Sequence, residues 1–167
     1  MSNTDQNLQA AFTGESQANR KYLFFAAKAE EEGQKQVARL FRAAADAETV
    51  HARSHFKVMK GVKSTPENLE SAIRGENYEF REMYPGFIKK AEAEGVKEAQ
   101  NSFNLANKVE EVHYGLFKTL LNSVEKGKAI KMQPIYVCQV CGNTVEGEPP
   151  DKCPICGALK KMFKNID

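Results

Sequence analysis

The sequence predicts an all-α four-helix bundle followed by a small domain organised around a metal knuckle. Three observations carry that prediction. Apolar residues recur at helical spacing through four stretches, each ending near a glycine. The second half of the helical region repeats the first. All four cysteines fall in the last 30 residues, as two Cys-x-x-Cys pairs.

The first stretch, 4–32, repeats Leu8, Ala11, Phe12, Tyr22, Phe25, Ala26 and Ala29 at helical spacing, with Thr4 or Asp5 as N-cap and Gly33 just past its end. The second, at about 35–60, keeps Val37, Leu40, Phe41, Ala44, Ala47, Glu48, His51, His55 and Met59 near one stripe, and Gly61 closes it. Thr65-Pro66-Glu67 opens the third, with proline at the first helical position, where a missing N–H costs nothing. That helix runs to about Glu94, before Gly95. The fourth covers about 97–126, carries Phe103, Ala106, Glu110, His113, Phe117, Leu120, Leu121 and Val124, and stops at Gly127. Amphipathic helices of this length on short polar turns pack as a bundle, here residues 1–130.

Residues 8–15 match 69–76 at an offset of 61, pairing Leu8 with Leu69, Gly14 with Gly75 and Glu15 with Glu76. From Tyr22 onward the offset is 62, pairing Tyr22 with Tyr84, Gly33 with Gly95, Phe41 with Phe103, Glu48 with Glu110 and His51 with His113. The third helix therefore holds one extra residue between its Glu and its Tyr. A helix absorbs such a residue as a π-bulge, a feature that clusters at functional sites. Glu79 sits in that stretch, and Pro85-Gly86 after it should kink or loosen the helix.

The repeat carries two Glu-x-x-His tetrapeptides, Glu48 to His51 and Glu110 to His113. At i and i+3 both side chains leave one face of a helix and can grip one metal ion or bridge two. Each trails a lone glutamate by a near-equal distance, Glu15 by 33 residues and Glu76 by 34. Counted from the turns at Gly33 and Gly95, these residues fall within about one helical turn of the same level, and so does Glu79. A single Glu-x-x-His is commonly a salt-bridging surface turn. Here both lie on apolar stripes, and five carboxylates buried together without a cation are prohibitive in repulsion and desolvation. Carboxylate-rich ligation with one His per metal suits iron or manganese and is the ligand set of ferritin-like di-iron bundles. Tyr22 and Tyr84 are either core aromatics or hydrogen-bond partners of the ligand carboxylates. His55 has Phe117 at its repeat position and is not a ligand.

Met132-Gln133-Pro134 forms a linker, and residues 134–167 are a separate small domain, too short for a hydrophobic core and in need of a staple. Cys138-x-x-Cys141-Gly142 and Cys153-Pro-x-Cys156-Gly157 supply it as a tetrathiolate metal site. Spacing alone leaves two occupants open, a structural zinc or a one-electron Fe(Cys)4 centre. Lys160, Lys161 and Lys164 lie on a solvated edge with Phe163 packed inward.

The net charge of +2, from 24 basic and 22 acidic residues, implies no nucleic-acid surface. No apolar run is long enough for a membrane span, and the polar start, with cysteines paired for metal, predicts a soluble cytoplasmic protein. The short link between helices two and three, Gly61 to Thr65, reaches only about 17 Å. It cannot recross a bundle of parallel second and third helices, so either the helices run simply up-down-up-down or, as favoured here, each hairpin pairs with one from a second chain in a swapped homodimer.

Taken together, Gly14-Glu15-Ser16, Glu48-x-x-His51, Gly75-Glu76-x-x-Glu79 followed by Met83-Tyr84-Pro85, Glu110-Glu111-Val112-His113 and the two cysteine knuckles resemble rubrerythrin along almost the whole chain. The carboxylate at Glu79 is the specific mark, since ordinary ferritins and bacterioferritins lack this seven-residue set. The resemblance implies a ferritin-like di-iron bundle with a rubredoxin-like domain. It implies that Glu48 and Glu110 bridge two irons, that Glu15 holds the first, and that Glu76 with His113 holds the second. It also implies that the first iron exchanges Glu79 for His51 with redox state, and that Tyr22 and Tyr84 stand behind the ligands. The activity implied is reduction of hydrogen peroxide to water, protecting against oxidative stress. Electrons would enter from an NAD(P)H-dependent reductase or rubredoxin through one iron held by Cys138, Cys141, Cys153 and Cys156, a site zinc can also occupy.

Two competing classes are a ferroxidase or iron-storage protein and an interaction module with a zinc ribbon. Storage needs no incoming electrons, so a tethered Fe(Cys)4 centre speaks against it. A colourless, redox-silent protein with the same fold would favour the module.

Overall fold

The computed structural model describes residues 2–166. The chain divides into two compact units, one up to Lys63 and one from Ser64.

The first unit is a helical hairpin of α1 (Asn3–Glu31) and α2 (Lys35–Val58). Helix α1 starts earlier than the sequence suggested: Ser2 is the N-cap. Its hydroxyl accepts from the Asp5 N–H at 3.2 Å, and the Asp5 carboxylate accepts from the Ser2 N–H at 3.0 Å. Asp5 is thus the reciprocal partner of the cap and not the cap itself. Gly33, at φ 75°, makes the left-handed turn between the helices. The buried side chains here are small, Ala26 and Ala29 on α1 and Ala38 and Ala45 on α2. Rings fill the space around them, with Phe25 and Phe41 edge-on at 5.5 Å and Phe12 stacked on Phe56 at 4.7 Å. Asn19 ties the pair together by donating to the Ala45 carbonyl at 2.7 Å and the Thr49 hydroxyl at 2.9 Å. At the end of α2 the left-handed residue is Lys60, at φ 54°, and not Gly61. Gly61 is needed for clearance, because a Cβ there would lie 2.2 Å from the Phe56 ring.

The second unit opens on a capping box, Ser64 with Glu67. Helix α3 (Thr65–Tyr78) passes through a π-helical turn (Glu79–Met83) into α4 (Tyr84–Ala93), and α5 (Lys97–Glu125) returns after Gly95. The extra residue of the repeat is taken up where the sequence placed it. Pro85, which has no N–H to donate, is the second residue after the π turn ends.

Beyond α5 lies an antiparallel sheet of β1 (Ile135–Cys138), β2 (Thr144–Glu146) and β3 (Phe163–Ile166), in the order β2-β1-β3. Its core is Cys138, Cys153 and Phe163, edged by Tyr136, Val145 and Ile155. Strand β2 packs beside α5, and a Cβ at Gly142 would sit 3.7 Å from the buried Val109. The helices and the cysteine sheet are the all-α bundle and small knuckle fold expected from the sequence.

Candidate metal centres

Among the described residues, three groups of side chains bring donor atoms within 4.8 Å of one another: Glu15, Glu48 and His51; Glu76, Glu110 and His113; and the four cysteines. The first two are the repeat copies of one motif. In the first, His51 Nδ1 lies 2.8 Å from Glu48 Oε2 and 3.8 Å from Glu15 Oε1. In the second, His113 Nδ1 lies 2.8 Å from Glu110 Oε2 and 3.9 Å from Glu76 Oε1. The i,i+3 spacing aims Nδ1 at its own helix's glutamate, and the neighbouring helix supplies the third donor.

The two groups differ in exposure. The His51 side chain is 55% exposed, that of His113 only 27%. The Nε2 of His113 also lies 2.9 Å from the Thr144 hydroxyl of β2, a partner for which His51 has no equivalent among the described residues. Nothing in the sequence marks Thr144, which lies 31 residues from His113.

The carboxylates of the second group press on one another. Burial first, then the charges of Glu110 and Glu79, hold the Glu76 carboxyl up at about 7. Glu79 is raised by burial and by Glu110, against the lowering effect of His113. It stands outside the tightest cluster yet close enough to share its field. Tyr84 is raised by burial and then by Glu110, Glu79 and Glu76, which places its phenol toward the carboxylates. Tyr22 packs with Phe25 and Phe41. Within their own units neither tyrosine hydroxyl hydrogen-bonds a ligand carboxylate. A divalent cation would relieve the repulsion in each group, and hard carboxylate oxygens with one imidazole fit iron.

Cysteine geometry fits a metal independently. Cys138 and Cys156 sulfurs stand 3.7 Å apart, and those of Cys141 and Cys153 stand 3.6 Å apart. Corners of a tetrahedron with metal–sulfur bonds of about 2.3 Å are about 3.8 Å apart. Both knuckles close on left-handed glycines, Gly142 at φ 85° and Gly157 at φ 77°. Burial pushes the Cys141 thiol up. At Cys153 burial opposes ionisation, but the backbone N–H groups of Cys156 and Ile155 prevail and bring the thiol down to about 7.

No helix among the described residues is long and apolar enough to cross a membrane. A cavity of about 320 Å³ opens beside His113, walled by Leu116, Phe117, Leu120 and Ile135 and edged by Thr144 and Glu146.

Comparison with known proteins agrees with this architecture. Residues 6–121 match the family model described as rubrerythrin, and residues 136–164 match the one described as rubrerythrin, rubredoxin-like domain. The chain is 35% identical to rubrerythrin-2 of Clostridium acetobutylicum, over 94% of this chain and 93% of the relative. It is also 35% identical to a rubrerythrin of Porphyromonas gingivalis, over 98% and 90%. Among solved structures, nigerythrin in a mixed-valence state aligns at a TM-score of 0.59 and 35% identity, covering 99% of this chain and 88% of that one. With donor sets for a di-iron centre and for one iron on four cysteines, the chain belongs to the rubrerythrin family.

Proposed function

We propose that the protein is a non-haem peroxidase that reduces hydrogen peroxide to two waters and serves in defence against oxidative stress. The observation that carries this reading is the presence, in one chain, of two Glu/Glu/His groups and a four-cysteine metal site. Breaking the O–O bond takes two electrons and two protons. Iron held by the Glu/His groups would supply the two electrons, and iron held by the four cysteines would pass electrons singly from an external NAD(P)H-dependent reductase or rubredoxin.

In this reading Glu15, Glu48 and His51 would hold one iron, and Glu76, Glu110 and His113 the other. Glu79 and His51 would alternate as ligands of the first. The exposure of the His51 side chain leaves it room to swing, whereas His113 is held at both nitrogens. Tyr84, whose phenol is raised by burial and by the nearby charges of Glu110, Glu79 and Glu76, would stand behind the ligands. The cysteine site favours peroxide reduction over iron storage, because ferroxidation consumes no incoming electrons.

The same reading takes the working unit as a homodimer with swapped hairpins. Support comes from the short link between α2 and α3 and from exposed apolar residues such as Phe24 and Leu40. Light scattering on the purified protein tests it, and a monomer would exclude it. Paired thiolates suit a reducing cytoplasm.

The deciding experiment mixes fully reduced, iron-loaded protein with hydrogen peroxide anaerobically and follows the visible absorption of the cysteine-bound iron. Rapid return of colour, made catalytic by a reductase, is the expected result. A cysteine site that stays reduced while the Glu/His centre oxidises would instead favour iron handling.

A further inference from the structure

We propose that Thr144 is a positioning residue for the His113 metal centre, fixing the imidazole so that Nδ1 is offered to the metal. The inference rests on the reading that Glu76, Glu110 and His113 hold iron, and it adds a residue from the cysteine domain to that centre.

The distances fit two ring tautomers, and a metal on Nδ1 selects one. The Thr144 hydroxyl stands 3.2 Å from the Gly142 carbonyl, which can only accept. A hydroxyl has one proton. With that proton directed to Gly142, Oγ1 faces His113 Nε2 at 2.9 Å with a lone pair, so Nε2 carries the ring proton. Nδ1, aimed at Glu110 and Glu76, is then bare and open to a metal, whereas in the other tautomer Nδ1 donates to Glu110 Oε2 at 2.8 Å and Nε2 accepts from Thr144. Metal-bound histidines are commonly fixed in this way by an acceptor on the second nitrogen.

The acceptor is anchored in the metal knuckle. Gly142 directly succeeds Cys141, its N–H donates to the Cys138 carbonyl at 2.8 Å, and its left-handed backbone sets the direction of the chain into β2. Thr144 itself pairs with Val137, the residue before Cys138. The frame that holds the four sulfurs therefore also holds the hydroxyl that orients His113.

The test compares Thr144→Val, which keeps shape and strand preference but loses the hydroxyl, with Thr144→Ser, which keeps the hydroxyl. Protein carrying iron at the cysteines is dialysed against Co(II), and its affinity for the second Co(II) is measured. The valine variant should lose about 10–100-fold in that affinity, and serine should restore it. The paramagnetically shifted, exchangeable ring N–H of His113 should be visible in wild type and serine and lost to solvent exchange in valine. An unchanged visible spectrum of the cysteine site certifies the fold, and Thr144→Ala carries the same comparison should valine disturb β2. Equal affinities and a persistent N–H signal in valine overturn the proposal. Failure of peroxide to reoxidise the wild-type cysteine site would overturn the peroxidase reading alone, since the cobalt measurement uses no peroxide.

Discussion

The backbone N–H of Tyr84 donates to the carbonyl of Glu79, five residues back. In the first repeat Glu15 and Tyr22 are 7 residues apart, close to two α-helical turns; in the second, Glu76 and Tyr84 are 8 apart. The wider turn absorbs the difference, so each tyrosine keeps its relation to its glutamate.

Deleting exposed Arg81 should therefore be tolerated. The helix would revert to the plain α form of its repeat, retaining helicity and metal binding by Glu76, Glu110 and His113. Deleting Lys108 from α5 should abolish that binding, because the part of the helix before the deletion turns by about 100° relative to the part after it. Circular dichroism and metal stoichiometry distinguish the two.

Glu79→Ala tests the ligand exchange directly. Peroxide turnover should fall by about tenfold or more, as for other groups that tune a metal site, while both metals remain bound. Turnover equal to wild type would sink the exchange.

The Glu76 carboxyl ties stability to pH in metal-free protein. Its folded value, about 7, lies above its ordinary value of 4.5. Below about 4.5 both folded and unfolded chains hold the proton, and the group exerts no penalty. As pH rises toward 7 the unfolded chain releases the proton while the folded chain retains it, so stability is lost across that window. Wild type should lose more stability than Glu76→Gln between pH 4.5 and 7 in urea titrations, and metal should cancel the difference.

Gly61→Ala should destabilise the first hairpin. The new Cβ would stand 2.2 Å from the Phe56 ring, which is already stacked on Phe12. Forcing that ring aside costs about 1–3 kcal/mol. Stiffening the unfolded chain returns only about 0.4–1 kcal/mol. The net effect is a lower thermal midpoint, measurable by calorimetry.

The helices, the knuckles, the position of the π turn and the Glu/His and Cys groups that gather their donor atoms were legible in the amino-acid order. Each of these is local or repeated: apolar spacing, i,i+3 pairs, Cys-x-x-Cys, and an offset that changes from 61 to 62. Some local details lay beyond it. Asp5 looks like an N-cap but serves Ser2, and Gly61 clears Phe56 while Lys60 takes the left-handed turn. How the two histidines differ was set by packing. Their tetrapeptides are near copies, yet His113 is gripped by Thr144 from a strand packed beside α5, while His51 stands half exposed. A repeat encodes the candidate ligands twice because neighbours on one helix suffice to place each Glu beside its His. Which copy has a partner at both ring nitrogens depends on a contact across 31 residues, between α5 and the strand packed beside it.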